Sequence, residues 1–391
     1  MILDRWRWLF SGGFRCFFLG GAIWAVSATG LWLAALAHGT GPAARGGLFW
    51  HGHEMLFGFA GAAAAGFALT ALPNWTGTPP LAGGRLAAAF ALWLAGRAAA
   101  LAAGSITPAA AALADAPFLC VLAAIALWTA GRAPGRAPLP VPAGLLVLAA
   151  ADLAFHAGAC GAWPGGRRLG LVGATHSYVF LIAVISGRIV PAFTRRLLPE
   201  GRAASVRSRT GLDLLAVAAT LGTGLLDLAG SRSALLLVSP AAAAVHLVRW
   251  WGWRPASARR DALTLVLHAG YAWLPAGYAL LAAMAAGAPL PRTAAIHAFT
   301  LGAMGTMILG IATRAGLGHT GRPRVAPPLL AVAFAGPSVA AALRIGAELA
   351  PESWRGAGLA AAGIVFGAAY LAYAARFAPI LTGPRVAPPA S

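Results

Sequence analysis

The sequence predicts an all-α, polytopic transmembrane helix bundle of about twelve spans with both termini cytoplasmic. Three observations predict it. The chain is 59% hydrophobic and only 10% charged, with a mean hydropathy of +0.75, a balance that belongs to membrane proteins rather than to soluble cores. Its apolar residues fall into twelve runs near the roughly 20 residues that a bilayer-spanning helix needs. The 29 basic residues, all arginine, are spread unevenly between those runs.

The runs are 14–37, 51–72, 85–104, 109–130, 141–161, 169–190, 211–230, 233–251, 261–286, 292–313, 326–349 and 355–378. Arg5-Trp6-Arg7 before the first run resembles the start of a signal peptide. The run is too long for one and eleven more follow, so it reads as a retained first helix. With both termini inside, the inner segments hold 20 arginines, from Arg5, Arg7 and Arg15 through Arg132 and Arg136 to Arg376 and Arg385. The outer segments hold six: Arg45, Arg167, Arg168, Arg232, Arg292 and Arg355. That excess sets the orientation. Residues 1–391 read as a single integral membrane domain. The longest inner loop, 191–210, divides it into candidate halves 1–195 and 205–391, with no convincing repeat between them. A net charge of +19 would suit nucleic acid, but the arginines lie between apolar runs, so the partner they imply is the lipid bilayer. Cys16, Cys120 and Cys160 form no CxxC motif and read as core residues.

Chemistry concentrates at Trp50-His51-Gly52-His53-Glu54-Met55, at the mouth of the second run. Ionisable groups at the edge of an apolar segment are costly to desolvate and call for a partner, a metal or a proton. Two readings stand. One is a polar helix cap, with Glu54 serving the N-terminal dipole. The other is a metal or haem site, since imidazole is the commonest protein ligand for both. His51 and His53 are two apart. A regular helix points them to opposite sides, so they share one metal only where the chain is not helical.

Orientation turns position into depth. The second, sixth and tenth runs enter from outside, and His51, His53, His176 and His297 all fall in the outer third of the bilayer at 1.5 Å per residue. These four are the candidate metal ligands, with His176 and His297 also candidates for haem. Glu54 is expected to orient a ligating imidazole. Met304 lies seven residues after His297, on the same face with Thr300, and Met307 follows it. Methionine is a soft ligand, though such a stripe also serves plain packing, and Met304 is placed beside the ligands rather than among them.

A second layer is expected on the cytoplasmic side. It holds Arg188, Arg314, His268 and His319, which either anchor topology or hold haem propionates or a second haem. His38, His156 and His246 read as interfacial residues without partners. Asp115, Asp152 and Asp227 read as isolated carboxylates in apolar runs, serving helix packing or proton relay.

Three stretches carry a family resemblance: His51-Gly-His53-Glu54-Met55-Leu-Phe-Gly-Phe59, Gly187-Arg188-Ile-Val-Pro191-Ala-Phe-Thr194, and the segment from His297-Ala-Phe-Thr300 to His319-Thr320-Gly-Arg322. Together they resemble the NnrS family. The resemblance implies a twelve-helix protein of the bacterial inner membrane that contains haem and copper. It also implies a link to nitric oxide metabolism and resistance to nitrosative stress, with an electron donor still to be identified. An apolar membrane cavity suits a small neutral ligand such as nitric oxide. The alternative from a different class is a transporter of a metal or metal complex, which twelve helices in two halves would suit. Against it, the polar residues are mostly histidines, and no clear pair of Gly/Pro-broken helices stands out. The resemblance leaves open whether any reaction is catalysed.

Overall fold

The computed structural model describes residues 2–135 and 138–386, so Arg136 lies outside the described residues. It is all-α, with no β-strand among the described residues. Among the described residues, twelve helices are long and apolar enough to cross a membrane: α1 Gly13–His38, α2 Gly41–Thr76, α3 Gly83–Leu101, α4 Pro108–Ala130, α5 Pro140–Ala159, α6 Gly166–Arg196, α7 Thr210–Leu228, α8 Arg232–Gly252, α9 Ala262–Ala285, α10 Arg292–His319, α11 Pro328–Leu349 and α12 Glu352–Leu381. This is a multi-pass membrane protein.

The helix ends follow local chemistry. Gly39 closes α1 in the left-handed conformation (φ 66°), and its amide bonds the Ala35 carbonyl. Thr107 caps α4 by accepting from the Ala110 amide at 3.2 Å, with Pro108 at the first helical position. The second helix differs most from expectation. It starts at Gly41 and kinks at Gly47 (φ 59°, ψ −146°), so His51 and His53 lie within the helix and not at its mouth. Glu54 therefore serves no helix N-terminus. Here α2 becomes a π-helix over Glu54–Phe59. A second π-helix, Ala298–Gly305, interrupts α10 directly after His297. Such turns are rare and often mark functional positions.

Burial separates inner helices from rim helices. The apolar windows of α2 and α6 are 72% buried and that of α10 is 67% buried, against 28% for α7, α8 and α11. The three most buried helices are those that carry the three motifs.

The chain forms two compact units. One comprises Met1–Ser177, Ala312–Arg324 and Tyr370–Ser391; the other comprises Tyr178–Ile311 and Val325–Ala369. In the first unit, close backbone contact seats α5. A Cβ at Gly158 would strike the Arg167 backbone, and one at Gly166 or Gly170 would strike the Ala154 or Ala151 carbonyl. Small residues permit this approach where lipid supplies no hydrophobic drive between helices. In the second unit Arg292 pairs with Asp227 through two bonds, Nε–Oδ1 at 3.2 Å and Nη2–Oδ2 at 2.5 Å, so Asp227 is not isolated. His246 is fully buried, not interfacial. Its Nε2 lies 3.0 Å from Thr220 Oγ1 and its Nδ1 2.7 Å from the Tyr271 hydroxyl. That hydroxyl accepts from Arg249 Nη1 at 2.8 Å, and Arg249 Nε donates to Asp213 at 2.7 Å. Arg249 is thus a buried structural cation as well as a residue near a helix end. Cys16 is buried as expected, but Cys160 is exposed just beyond α5.

Candidate functional site

In the first unit, four spanning helices bring six buried ionisable side chains into one pocket. They are His53 and Glu54 from α2, Arg97 from α3, Asp115 from α4, and Asp152 and His156 from α5. None is more than 7% exposed, in a protein whose spans lie in lipid, so each charge must be answered locally. Asp152 and His156 are four residues apart on one helix face.

The hydrogen bonds sort these groups into a centre and a surround. His53 Nδ1 lies 2.7 Å from Glu54 Oε1. The other Glu54 oxygen lies 2.9 Å from Arg97 Nε, close enough for an ion pair though off the line of the N–H bond. Arg97 Nη2 donates to Asp115 Oδ1 at 2.6 Å. Arg97 also lies over the rings of Trp24 and Trp93, at 5.8 and 5.9 Å from their centroids. These partners use the outward-facing atoms of the cluster. The inward-facing atoms meet one another. His53 Nε2 is 3.0 Å from Asp115 Oδ2 and 3.3 Å from Asp152 Oδ1. His156 Nε2 is 3.1 Å from Asp115 Oδ2 and 3.6 Å from Asp152 Oδ1. His53, Asp115, Asp152 and His156 each offer a ligand atom within 4.8 Å of the others.

The surrounding sequence leaves room for this. A Cβ at Gly58 would come within 2.7 Å of Trp24 Nε1 and 2.9 Å of Arg97 Nη1 and Glu54 Oε2. A Cβ at Gly96 would collide with the Asp115 carboxylate. Phe57 and Phe155 close the sides, their ring centroids 5.0 and 4.6 Å from that of His53. Trp93 donates its indole N–H to the Gly58 carbonyl at 2.9 Å, tying α3 to the π-turn.

The candidates named from the sequence are distributed as follows. Within this unit His53 and Glu54 enter the cluster. His51, on the same helix, stacks on Trp32 with ring centroids 4.7 Å apart, so the two histidines serve different places. His176 is buried on α6. His51 and His176 are not among the four donors that meet around His53. His319 is exposed at the end of α10, its ring 5.2 Å from Phe14, and Arg314 is half-buried five residues before it.

In the second unit His297 Nδ1 lies 2.7 Å from the Thr293 carbonyl, which fixes the proton on Nδ1 and leaves Nε2 as the lone-pair nitrogen. Met304 is buried on the π-turn that follows. His268 Nε2 lies 2.9 Å from Thr194 Oγ1, whose own hydrogen goes to the Val190 carbonyl. His268 therefore donates to Thr194, and its buried Nδ1 has no hydrogen-bond partner among the described residues. Arg188 is exposed on α6.

The sequence reading missed Arg97, Asp115, Asp152 and His156 as a group. His156 is neither interfacial nor alone, and neither carboxylate is isolated. Two signals were present: a cation inside an apolar run at Arg97, which requires an acid, and the Asp152-x-x-x-His156 spacing. A comparison with curated proteins finds no match. A family model described as NnrS protein matches residues 8–385, which include all three motifs and the whole buried cluster. The chain belongs to the NnrS family.

Proposed function

We propose that this protein binds haem and copper in the bacterial inner membrane and acts in nitric oxide metabolism or in resistance to nitrosative stress. The observation that carries the reading is the family match across nearly the entire chain, residues 8–385. His51, His176 and His297 are the proposed haem or copper ligands of the outer layer. On the inner side, His319 with Arg314 in the first unit and His268 with Arg188 in the second are each proposed to hold haem or its propionates. Met304 packs beside the His297 ligand. The imidazoles fit that chemistry: His297 is held in the tautomer with a free Nε2, and His268 keeps a buried Nδ1 without a hydrogen-bond partner among the described residues. Held there, ferrous haem would bind nitric oxide and copper would supply or accept an electron.

The test is the absorption spectrum and metal content of the purified full-length protein. A Soret band that shifts when nitric oxide is added to the reduced protein is expected, together with bound copper. A folded preparation with neither haem nor copper overturns the reading and favours the transporter.

A further inference from the structure

We infer that His53, Asp115, Asp152 and His156 form a non-haem site for a single divalent first-row transition-metal ion. This inference deepens the metal half of the proposed function and does not depend on its haem half.

The first argument is charge. Glu54, Asp115 and Asp152 bring three carboxylates into a pocket with one guanidinium, Arg97, and all are at most 5% exposed. With neutral imidazoles, two negative charges are left over, and that is the charge of one divalent cation. A carboxylate inside a membrane has to be neutralised, by a bound cation or by a proton.

The second argument is where the lone pairs point. Glu54 takes the Nδ1 side of His53, so the Nε2 lone pair faces inward, 3.0 Å from Asp115 Oδ2 and 3.3 Å from Asp152 Oδ1. Lone pairs held that close repel unless a proton or a cation sits between them. His156 Nε2 and Asp115 Oδ2 share a hydrogen bond at 3.1 Å, but neither His53 Nε2 nor either oxygen of Asp152 makes one of acceptable angle, although all three are buried. Asp152 Oδ2 has no hydrogen-bond partner among the described residues. A metal at the centre of the four atoms satisfies them together.

The third argument is size. Bonds of about 2.0–2.2 Å to a tetrahedral ion separate its ligand atoms by about 3.3–3.6 Å. Of the four nitrogen–oxygen separations here, 3.3 and 3.6 Å lie in that range and 3.0 and 3.1 Å fall short of it, so the site opens slightly to admit the ion. The His53 and His156 ring centroids are 5.2 Å apart with planes crossed at 70°, which leaves space for an ion and none for a porphyrin between them.

The donor set then selects the ion. Two imidazoles and two carboxylates, without thiolate or thioether, suit Cu(II), Zn(II), Fe(II) or Mn(II) and disfavour Cu(I). The Glu54–His53 bond is the carboxylate–imidazole partnership that orients a metal-bound histidine, and Arg97 does the same for Asp115.

The experiment uses the detergent-solubilised full-length protein, stripped with chelator and titrated with Co(II), whose visible ligand-field bands are intense only in low-symmetry tetrahedral sites. The wild type is expected to take up one equivalent with such bands. Asp152→Asn and His156→Gln are expected to weaken this uptake by more than about 100-fold, beyond the loss typical of an outer partner. A variant that fails to fold, judged by gel filtration, is replaced by Asp152→Ser. The inference is overturned if folded wild type shows no tetrahedral Co(II) uptake, or if folded variants retain it. The Soret absorbance of the same samples separates the two readings: haem without cobalt uptake sinks only the site, and cobalt uptake without haem sinks only the haem assignment.

Discussion

Replacing Arg97 by Met should be among the most destabilising single changes in the first unit. Arg97 closes two buried ion pairs, with Asp115 at 2.6 Å and with Glu54 at 2.9 Å, and all three residues are at most 5% exposed. Removing one partner of a buried pair costs about 3–5 kcal/mol, because the charge left behind stays desolvated. Two carboxylates are stranded here, beside a third on Asp152, so the expected loss is at the upper end, about 5 kcal/mol. Arg97→Lys keeps the charge but cannot reach both acids with a planar fork, and should cost about 1–3 kcal/mol. The assay is reversible unfolding in mixed micelles titrated with denaturing detergent. Chelator is present throughout, so that metal binding to the native state does not contribute. The double variant Arg97→Met/Asp115→Asn should lose less than the two single losses combined, since the second change removes a charge that the first had stranded. If Arg97→Met unfolds within about 1 kcal/mol of wild type, the pocket is not held by this guanidinium and the charge argument fails.

Three further outcomes are expected. Glu54→Gln keeps the hydrogen-bonding shape beside His53 but removes the charge, and should weaken metal uptake by about 10- to 100-fold without altering haem absorbance; unchanged cobalt affinity would remove Glu54 from the site. His297→Ala should reduce the Soret band while the protein still inserts and folds, and a full band would exclude His297 as a haem ligand. Reporter fusions in the loop 197–209 should be active only as cytoplasmic reporters, because the inner segments hold 20 arginines against six outside. An external signal there would invert the depth argument.

The fold was legible because lipid imposes a length and an orientation on every span, and both are written along the chain. The twelve apolar runs coincide with the twelve helices, apart from ends such as the ten residues by which α2 begins early. The site was half legible. His53 and Glu54 stood out because they adjoin each other in a conspicuous motif. Asp115 sits on α4, and Asp152 and His156 sit together on α5, 18 or more residues from Arg97, and they look unrelated to it until packing brings them together. Arg97 itself was absorbed into an apolar run. A cation and three acids inside apolar spans are each expensive alone, so their coexistence in one chain already implies pairing. Which acid pairs with which cation depends on helix packing, and that depends on steric detail such as Gly158, Gly166 and Gly170, which no charge pattern reveals.

The two π-turns connect the sequence motifs to that packing. Each starts at the residue after a histidine, at Glu54 and at Ala298. Neighbours on a regular α-helix point about 100° apart, and an added residue in a turn shifts the phase of everything that follows. In the first unit the shifted segment brings Gly58 against Glu54, Arg97 and Trp24, and its carbonyl is bonded by Trp93. In the second, Gly302 of the π-turn leaves no room for a Cβ against the Trp273 ring. Gly58 and Gly302 are therefore favoured by contact and not by backbone conformation, since neither has a positive φ. An irregular turn weakens the helix that contains it. It is tolerated here because it sets a histidine and a run of small residues against large neighbouring side chains. In the first unit those neighbours include the groups that surround the proposed metal. The conspicuous motif and the hidden cluster are thus parts of one construction, and the π-turn after His53 joins them.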